Sequence, residues 1–505
     1  MSRLLVAGGE LLAGPGRRLE RADVLIDGGW IEDVGSDLAV PEGTARLDAG
    51  ETIVMPGLIN AHTHGHNNLA RGMAGRWTLE QLIAFGPAIQ AGRTPEDHYL
   101  SAALGAIEML KTGATSAYDL YMAVPVPDEE VLEPVVDAYR DVGLRVVLAP
   151  SLADGPFHRM MPGLLDVVPD DAARRLQRLA AVPARRSLKL AESAVRRFNG
   201  AASGRVQMAV SPTIPGLCSD ELLAGLAEVA REHGVGMHTH VAESRVQIVQ
   251  ARSRWRSPIV SHLAELGALR GPFVAAHGVW LTEPEIQHLA DTGATVAHNP
   301  ASNLRLGNGI APVREMLAAG VNVALGSDGS LSSDNQDMFE AMRLAALVSR
   351  ANPSAAPDRW LDATEALERA TVAGAAALGR SGQLGTVEPG RRADLVLLRA
   401  DSTFLHPRND LLNALVFAET GAAVETVIVD GRVVLQSGRV TGVDEETIRD
   451  RARVSMDRLR AANRELLQAT AELSPYIVSH CQAMVAGGKP SESHAPGLGL
   501  GEAAI

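Results

Sequence analysis

Cysteine is nearly missing from this 505-residue sequence: Cys218 and Cys481 stand far apart and in no CxxC spacing. That usage excludes a disulfide framework and a thiolate metal cluster, and it fits a reducing compartment. Aromatic residues make up only 3% of the chain, and lysine occurs only at Lys111, Lys189 and Lys489. The formal charge is −13, with no basic stripe to neutralise phosphates, so nucleic acid is not expected as a partner. No uninterrupted run of about eighteen apolar residues occurs, which excludes a helical membrane span. The stretch from Met1 to Gly9 lacks the long apolar core of a signal peptide, so the expected location is the cytoplasm. What the chain does have is apolar bulk. At 46% hydrophobic and 21% charged residues it can bury a sizeable core.

Short strand-and-turn signatures mark both ends. Leu4–Ala7, Ala22–Ile26 and Trp30–Val34 are separated by glycine-rich breaks, and similar patterns return at Ala393–Leu398 and Val424–Arg432. Between them, apolar runs rich in Val and Ala alternate with helical patterns, the mark of parallel βα units. Strands are expected at Ile59–His64, Ala114–Asp119, Arg145–Ser151, Val206–Pro212, Gly236–Val241, Phe273–Gly278, Thr295–Pro300 and Asn322–Asp328. Helices are expected at Pro95–Lys111, Glu129–Val142, Asp220–His233, Glu283–Thr292, Val313–Ala319 and Asn335–Ser349. The fold class is α/β: a (β/α)8 TIM-type barrel with a small β-sandwich domain built from both chain ends. An open doubly wound sheet is the alternative, but no GxGxxG follows an early strand. The expected division is 1–54 plus 385–440 for the composite β domain and 55–384 for the barrel. A helical extension follows at 441–485, including a long charged helix over Glu445–Glu472, and then a flexible tail at 486–505.

In such a barrel, chemistry sits at the C-terminal ends of the strands. The first expected strand ends in His62-Thr63-His64, and the fifth in His238-Thr239-His240 with Glu243 just beyond. The sixth ends in His277, the seventh in His298-Asn299 and the eighth in Ser327-Asp328. Residues i and i+2 of a strand face one side, so His62 and His64 can both point into the barrel mouth. Each piece alone has an ordinary structural reading: a paired histidine in a core, an aspartate capping the next helix, a glutamate in a first turn. Their coincidence at one rim decides otherwise. Three imidazoles and a carboxylate make an N3O site, which suits one divalent ion: Zn2+ first, with Fe2+ or Mn2+ also fitting.

With these residues in view the chain resembles the amidohydrolase superfamily, closest to its cytosine deaminase-like and chlorotriazine hydrolase branch. The matching text is Met55-Pro56-Gly57-Leu58-Ile59-Asn60-Ala61-His62-Thr63-His64, His240-Val241-Ala242-Glu243, Ala276-His277-Gly278, His298 to Leu304, and Leu325 to Gly329. The stretch Gly385 to Val396 matches as well, and the resemblance runs from about Leu4 to Val440. It implies that His62, His64, His240 and Asp328 bind the metal, whose charge lowers the pKa of bound water towards neutrality. Asp328 would also take the proton of the attacking water. Glu243 would shuttle a proton to the ring nitrogen or leaving group, and His277 would hydrogen-bond the water or the tetrahedral intermediate. Some members bridge two metals with a modified lysine, but no lysine ends the third or fourth strand, so a single metal follows.

The segment after His64 departs from the family pattern. His66 and Asn67 add polar groups near the mouth, and Trp77 opens an unfamiliar lid stretch running to Ile83. His66, Asn67, Trp77, His158, His238 and Asn303 are the substrate-contact candidates, with Phe157 and Arg159 beside His158 as further pocket residues. Small molecules are the expected partners, and the resemblance implies a homodimer. The leading reading is hydrolytic deamination of an amino-substituted N-heterocycle. The second is hydrolysis of another C–N or C–Cl bond, in a urea, carbamate, amide or chloro-heterocycle. The third, a non-catalytic scaffold, should have lost ligands, and every ligand is present here.

Overall fold

The computed structural model describes residues 3–179, 182–351 and 356–487. The barrel strands are Leu58–Thr63, Ala114–Tyr121, Arg145–Leu152, the short pair Val206–Met208 and Ser211–Pro212, Met237–Val241, Phe273–His277, Thr295–His298 and Asn322–Leu325. Among the described residues they form a five-stranded and a four-stranded parallel sheet. A parallel bridge between Val210 and Met237 joins the two sheets at one seam. At the other seam the Asp328 amide donates to the His62 carbonyl at 2.9 Å. The result is a curled parallel sheet consistent with a TIM-type barrel.

The expected fourth strand divides for a physical reason. The Ala209 amide still donates to Leu148 O, but Val210 pairs both its backbone groups with Gly236 and His238 of the next strand. The chain changes partners in mid-strand, which draws the fifth strand against the fourth. Helices Pro95–Lys111, Glu129–Val142 and Asp220–His233 match their expected limits, because Thr94, Asp128 and Ser219 cap their starts with side-chain acceptors. The latter two end at Gly143 and Gly234 in the left-handed conformation. The helix expected from Asn335 begins instead at Met338, where Asp337 is the cap.

Asp337 accepts from the Phe339 amide at 2.8 Å, and burial pushes its carboxyl up to about 7. An unfolded aspartate titrates near ~4, so between these values the folded chain binds the extra proton. The stability contribution is therefore full below about pH 4 and is lost as pH rises through 7. Asp337→Asn keeps a capping oxygen without the charge. We expect it to raise the melting temperature at pH 8 and to leave it unchanged near pH 4; equal shifts at both pH values would contradict this.

Strands from both chain ends share one sheet, nine-stranded among the described residues. Thr52–Pro56 pairs antiparallel with Leu395–Arg399 and runs through Gly57 directly into the first barrel strand. A Cβ at Gly57 would lie 2.1 Å from Thr115 Oγ1, so only glycine passes there. A buried ion cluster ties this sheet to the barrel. Arg145 donates to Asp394 at 2.8 and 2.9 Å and to Asp430 at 3.2 Å. Their side chains are 6%, 3% and 2% exposed. Arg145→Ala leaves buried Asp394 without its cation and Asp430 with Arg392 alone, and we expect a loss of about 3–5 kcal/mol in urea unfolding.

The long charged helix is in fact two, Glu445–Ala462 and Arg464–Ala486, broken at Asn463, whose side-chain Nδ2 donates to Ala91 O at 2.9 Å. The second helix packs on helix Leu79–Gln90, and its Ile477 and Cys481 join an apolar cluster with Met160, Met161 and Leu164. The expected tail at 486–505 lies outside the described residues except for its first two. Among the described residues no helix is long and apolar enough to cross a membrane.

Candidate active site

The strand ends meet as the alternation requires. The His62 ring lies 4.9 Å from that of His64, 5.0 Å from that of His240 and 5.3 Å from that of His277. Asp328 Oδ1 is 3.4 Å from His64 Nε2 and 3.8 Å from His62 Nε2. Gly326 permits this closeness: a Cβ there would stand 2.8 Å from the His62 Cβ and 2.4 Å from Asn299 Oδ1.

The protonation pattern tests whether these residues suit a cation. His64 Nδ1 lies 2.8 Å from the Leu120 carbonyl, and His240 Nδ1 meets the Thr213 carbonyl. Carbonyl oxygens only accept, so both Nδ1 atoms carry the hydrogen and both Nε2 atoms are bare lone pairs. Those two Nε2 atoms nevertheless lie 3.1 Å apart. Burial, followed by the charges of His64 and His277, pushes His240 down to about 3, so a shared proton is disfavoured. His62 is fully buried with neither ring nitrogen hydrogen-bonded among the described residues, and burial holds it well below the usual histidine range. Burial opposes ionisation of Asp328, yet His64 and His277 outweigh it and hold its carboxyl below the ordinary value. Imidazoles at His62 and His240 that burial holds against taking up a proton, a carboxyl at Asp328 held towards its ionised form, and ligand atoms within 4.8 Å in the groups His62–His64–His240 and His62–His277–Asp328 fit a divalent cation.

Beside this cluster, His277 Nδ1 lies 2.9 Å from Asn303 Oδ1 and 3.3 Å from Asn299 Nδ2, and the shorter contact, to an acceptor oxygen, places the hydrogen on Nδ1. Its Nε2 then opens towards Glu243 Oε2 at 3.7 Å and Asp328 Oδ2 at 3.8 Å. Glu243 is 1% exposed; Oε1 accepts from Asn308 Nδ2 at 3.1 Å, while Oε2 has no hydrogen-bond partner among the described residues. Burial, then the charges of Asp328 and Glu80, raise its carboxyl well above the usual range, which favours the protonated acid. Ala242, His277 and Asp328 have φ of 50°, 74° and 63°, left-handed values uncommon for residues with side chains and concentrated here at the strand tips.

A cavity of about 320 Å³ opens over this floor, lined by His64, His240, Glu243, His277 and Asp328. Its wall is largely apolar, with Leu82, Ile83, Met122, Val126, Phe157 and Leu217. Of the substrate candidates, His66 and Asn67 line it. The other four are placed elsewhere. Trp77 stacks on Phe85 at 4.2 Å within a side cluster. His158 sits in the turn Phe157–Met160, where its neighbour Phe157 takes the wall position. His238 lies between His62 and Tyr118, with ring separations of 4.9 and 4.4 Å. Asn303 holds His277 in its tautomer. Sequence reasoning did not reach Asn308, Leu120 or Thr213, since a carbonyl that orients an imidazole leaves no residue-type signal.

Residues 53–434 match the amidohydrolase family. A 5-methylthioadenosine/S-adenosylhomocysteine deaminase from Caldanaerobacter subterraneus is 33% identical over 431 residues, 85% of this chain and 92% of its own. A 5′-deoxyadenosine deaminase from Methanosarcina mazei is 34% identical over 88% of this chain and 94% of its own. Among solved structures, an adenosine deaminase from Xanthomonas campestris with bound zinc has a TM-score of 0.78 at 26% identity, over 91% of this chain and 99% of that one. An atrazine chlorohydrolase from Arthrobacter aurescens complexed with zinc has a TM-score of 0.80 at 28% identity, over 90% and 100%. The chain belongs to the amidohydrolase family and is a metal-dependent hydrolase acting on carbon–nitrogen bonds.

Proposed function

We propose that this chain hydrolytically deaminates an adenine nucleoside whose 5′ carbon is unsubstituted or bears an apolar thioether, releasing ammonia and leaving the oxo-purine. The observation that carries the reading is Glu243, buried on the cavity floor with its carboxyl pushed up by burial towards the protonated acid, beside His277, which in turn faces Asp328. Replacing an amino group by oxygen needs proton delivery to the ring, which a protonated buried carboxyl supplies. The deaminases similar to this chain support the substrate class. So does the wall: among the described lining residues the charged side chains other than histidines are Glu243 and Asp328, an environment for a neutral ligand rather than a nucleotide.

His62, His64, His240 and Asp328 would hold one divalent ion, zinc by the N3O donor set, which lowers the pKa of water and so makes the nucleophile available at neutral pH. His277 Nε2, its Nδ1 hydrogen committed to Asn303, accepts a hydrogen of the attacking water and orients it. Asp328 takes that water's proton. Glu243 gives its proton to the ring nitrogen beside the attacked carbon, the proton on Asp328 leaves with the amine as ammonia, and the hydroxyl proton left on the attacked carbon returns to Glu243 as the carbonyl forms. Water and substrate thus yield one oxo-heterocycle and one ammonia.

In the same reading, the nine-stranded sheet folds over its shared apolar core as a β-sandwich of 1–54 and 385–440, against the barrel of 55–384 and the helices of 441–485. Both halves contribute to that core, Val6 and Ile26 from one end and Leu395 and Ile428 from the other. The acidic charge and buried free cysteines support a small-molecule enzyme of the cytoplasm, taken as a homodimer, without nucleic acid or membrane partners. The test is ammonia release by zinc-loaded protein from adenosine, 5′-deoxyadenosine, 5′-methylthioadenosine, aminopyrimidines and aminotriazines, with a chlorotriazine assayed for chloride. Release from the nucleosides, greatest with apolar 5′ groups, is expected. Chloride release with silence from every nucleoside would replace this reading.

A further inference from the structure

The deamination chemistry leaves one built polar group unused. His66, 4% exposed, lines the cavity next to His64, with 5.2 Å between their rings. The Met122 amide donates to His66 Nδ1 at 3.1 Å. An amide N–H can only donate, so Nδ1 is the bare nitrogen and the hydrogen sits on Nε2. The residue is held firmly. Its carbonyl accepts from Arg93 Nη1 at 2.6 Å and Gln90 Nε2 at 3.4 Å, and the Tyr121 ring packs edge-on at 5.6 Å. Among the described residues Nε2 has no hydrogen-bond partner, and His66 belongs to neither group of convergent ligand atoms. A fixed donor in the wall of a binding cavity, without a protein acceptor, is satisfied by what binds there.

We infer that His66 Nε2–H donates to a ring nitrogen of the bound heterocycle other than the one Glu243 protonates, and so selects rings with a second in-plane lone pair. The inference rests on the deamination reading above. His66 flanks the floor on the His64 side and Glu243 flanks it on the His277 side. Two donors on two edges fix a planar ring in its own plane, while the apolar wall supplies contact without orientation. A ring with C–H or N–H opposite His66 leaves the donor unpaired and is rejected.

The test compares 5′-deoxyadenosine with its 3-deaza and 7-deaza analogues, each with one ring nitrogen replaced by C–H. In the zinc-loaded wild type, one analogue should lose about tenfold or more in kcat/KM. In His66→Phe the parent and that analogue should converge to within about twofold, and His66→Gln, which keeps an amide donor, should retain part of the discrimination. Metal content equal to wild type in both variants is expected. Wild-type discrimination retained by His66→Phe overturns the inference, as does loss of the metal from both variants, which would mark His66 as support for the ligand set. If the wild type does not turn over the parent, the deamination reading itself fails. The dissociation constants of the same three nucleosides then decide the role of His66 by the same convergence or its absence.

Discussion

Glu243→Gln is expected to lower kcat by about 10²–10⁴-fold while KM, metal content and melting temperature stay near wild type. The size follows from the role. Glutamine fills the same space, and its Oε1 can still accept from Asn308 Nδ2, so the hydrogen bond that fixes the side chain persists. Because burial pushes the Glu243 carboxyl up towards its neutral form, a neutral amide suits the same surroundings. What it removes is the transferable proton, because an amide cannot act as an acid at these pH values. A structural role would show instead as a lowered melting temperature, and a pure binding role as a raised KM with kcat intact. A kcat within tenfold of wild type would exclude Glu243 as the proton donor.

The second large effect is expected at the ligand cluster. His240→Ala should reduce bound metal from about one ion per chain to a small fraction and reduce turnover to background, as should exhaustive chelation of the wild type. Chelation should also lower the melting temperature, since an ion at 1,000 times its dissociation constant stabilises a fold by about 4 kcal/mol. The structure adds a specific cause: with each Nδ1 turned to a backbone carbonyl, His64 and His240 bring their Nε2 atoms to 3.1 Å, so both present that nitrogen to one place where a cation would be held. Zinc should restore both properties to the chelated wild type, and neither to His240→Ala. Metal content by elemental analysis decides the matter, and full occupancy in His240→Ala would remove His240 from the ligand set.

Strand periodicity reads one face of one element, and that was enough to find the floor of the site. The two-residue spacing of His62 and His64, and the polar residue at each strand tip, appear in the fold as rings about 5 Å apart. Capping residues likewise set the three best-matched helices, because their acceptors act locally. What escaped is long-range. Asn308 reaches Glu243 across 65 positions, and the carbonyls that fix His64 and His240 come from Leu120 on the next strand and from Thr213 just past another. The break at Asn463 depends on Ala91, 372 positions away, so the helical pattern over Glu445–Glu472 shows no sign of it. Trp77 and His158 stood near the mouth in sequence, but the fold turned Trp77 onto Phe85 and gave the wall to Phe157.

The most direct measurement is mass spectrometry of the product made from 5′-deoxyadenosine by the zinc-loaded protein in 18O-labelled water, with ammonia counted in parallel. The expected result is 5′-deoxyinosine carrying one 18O per molecule with one ammonia released. Unchanged nucleoside, or free adenine from cleavage at the sugar, would contradict deamination by activated water.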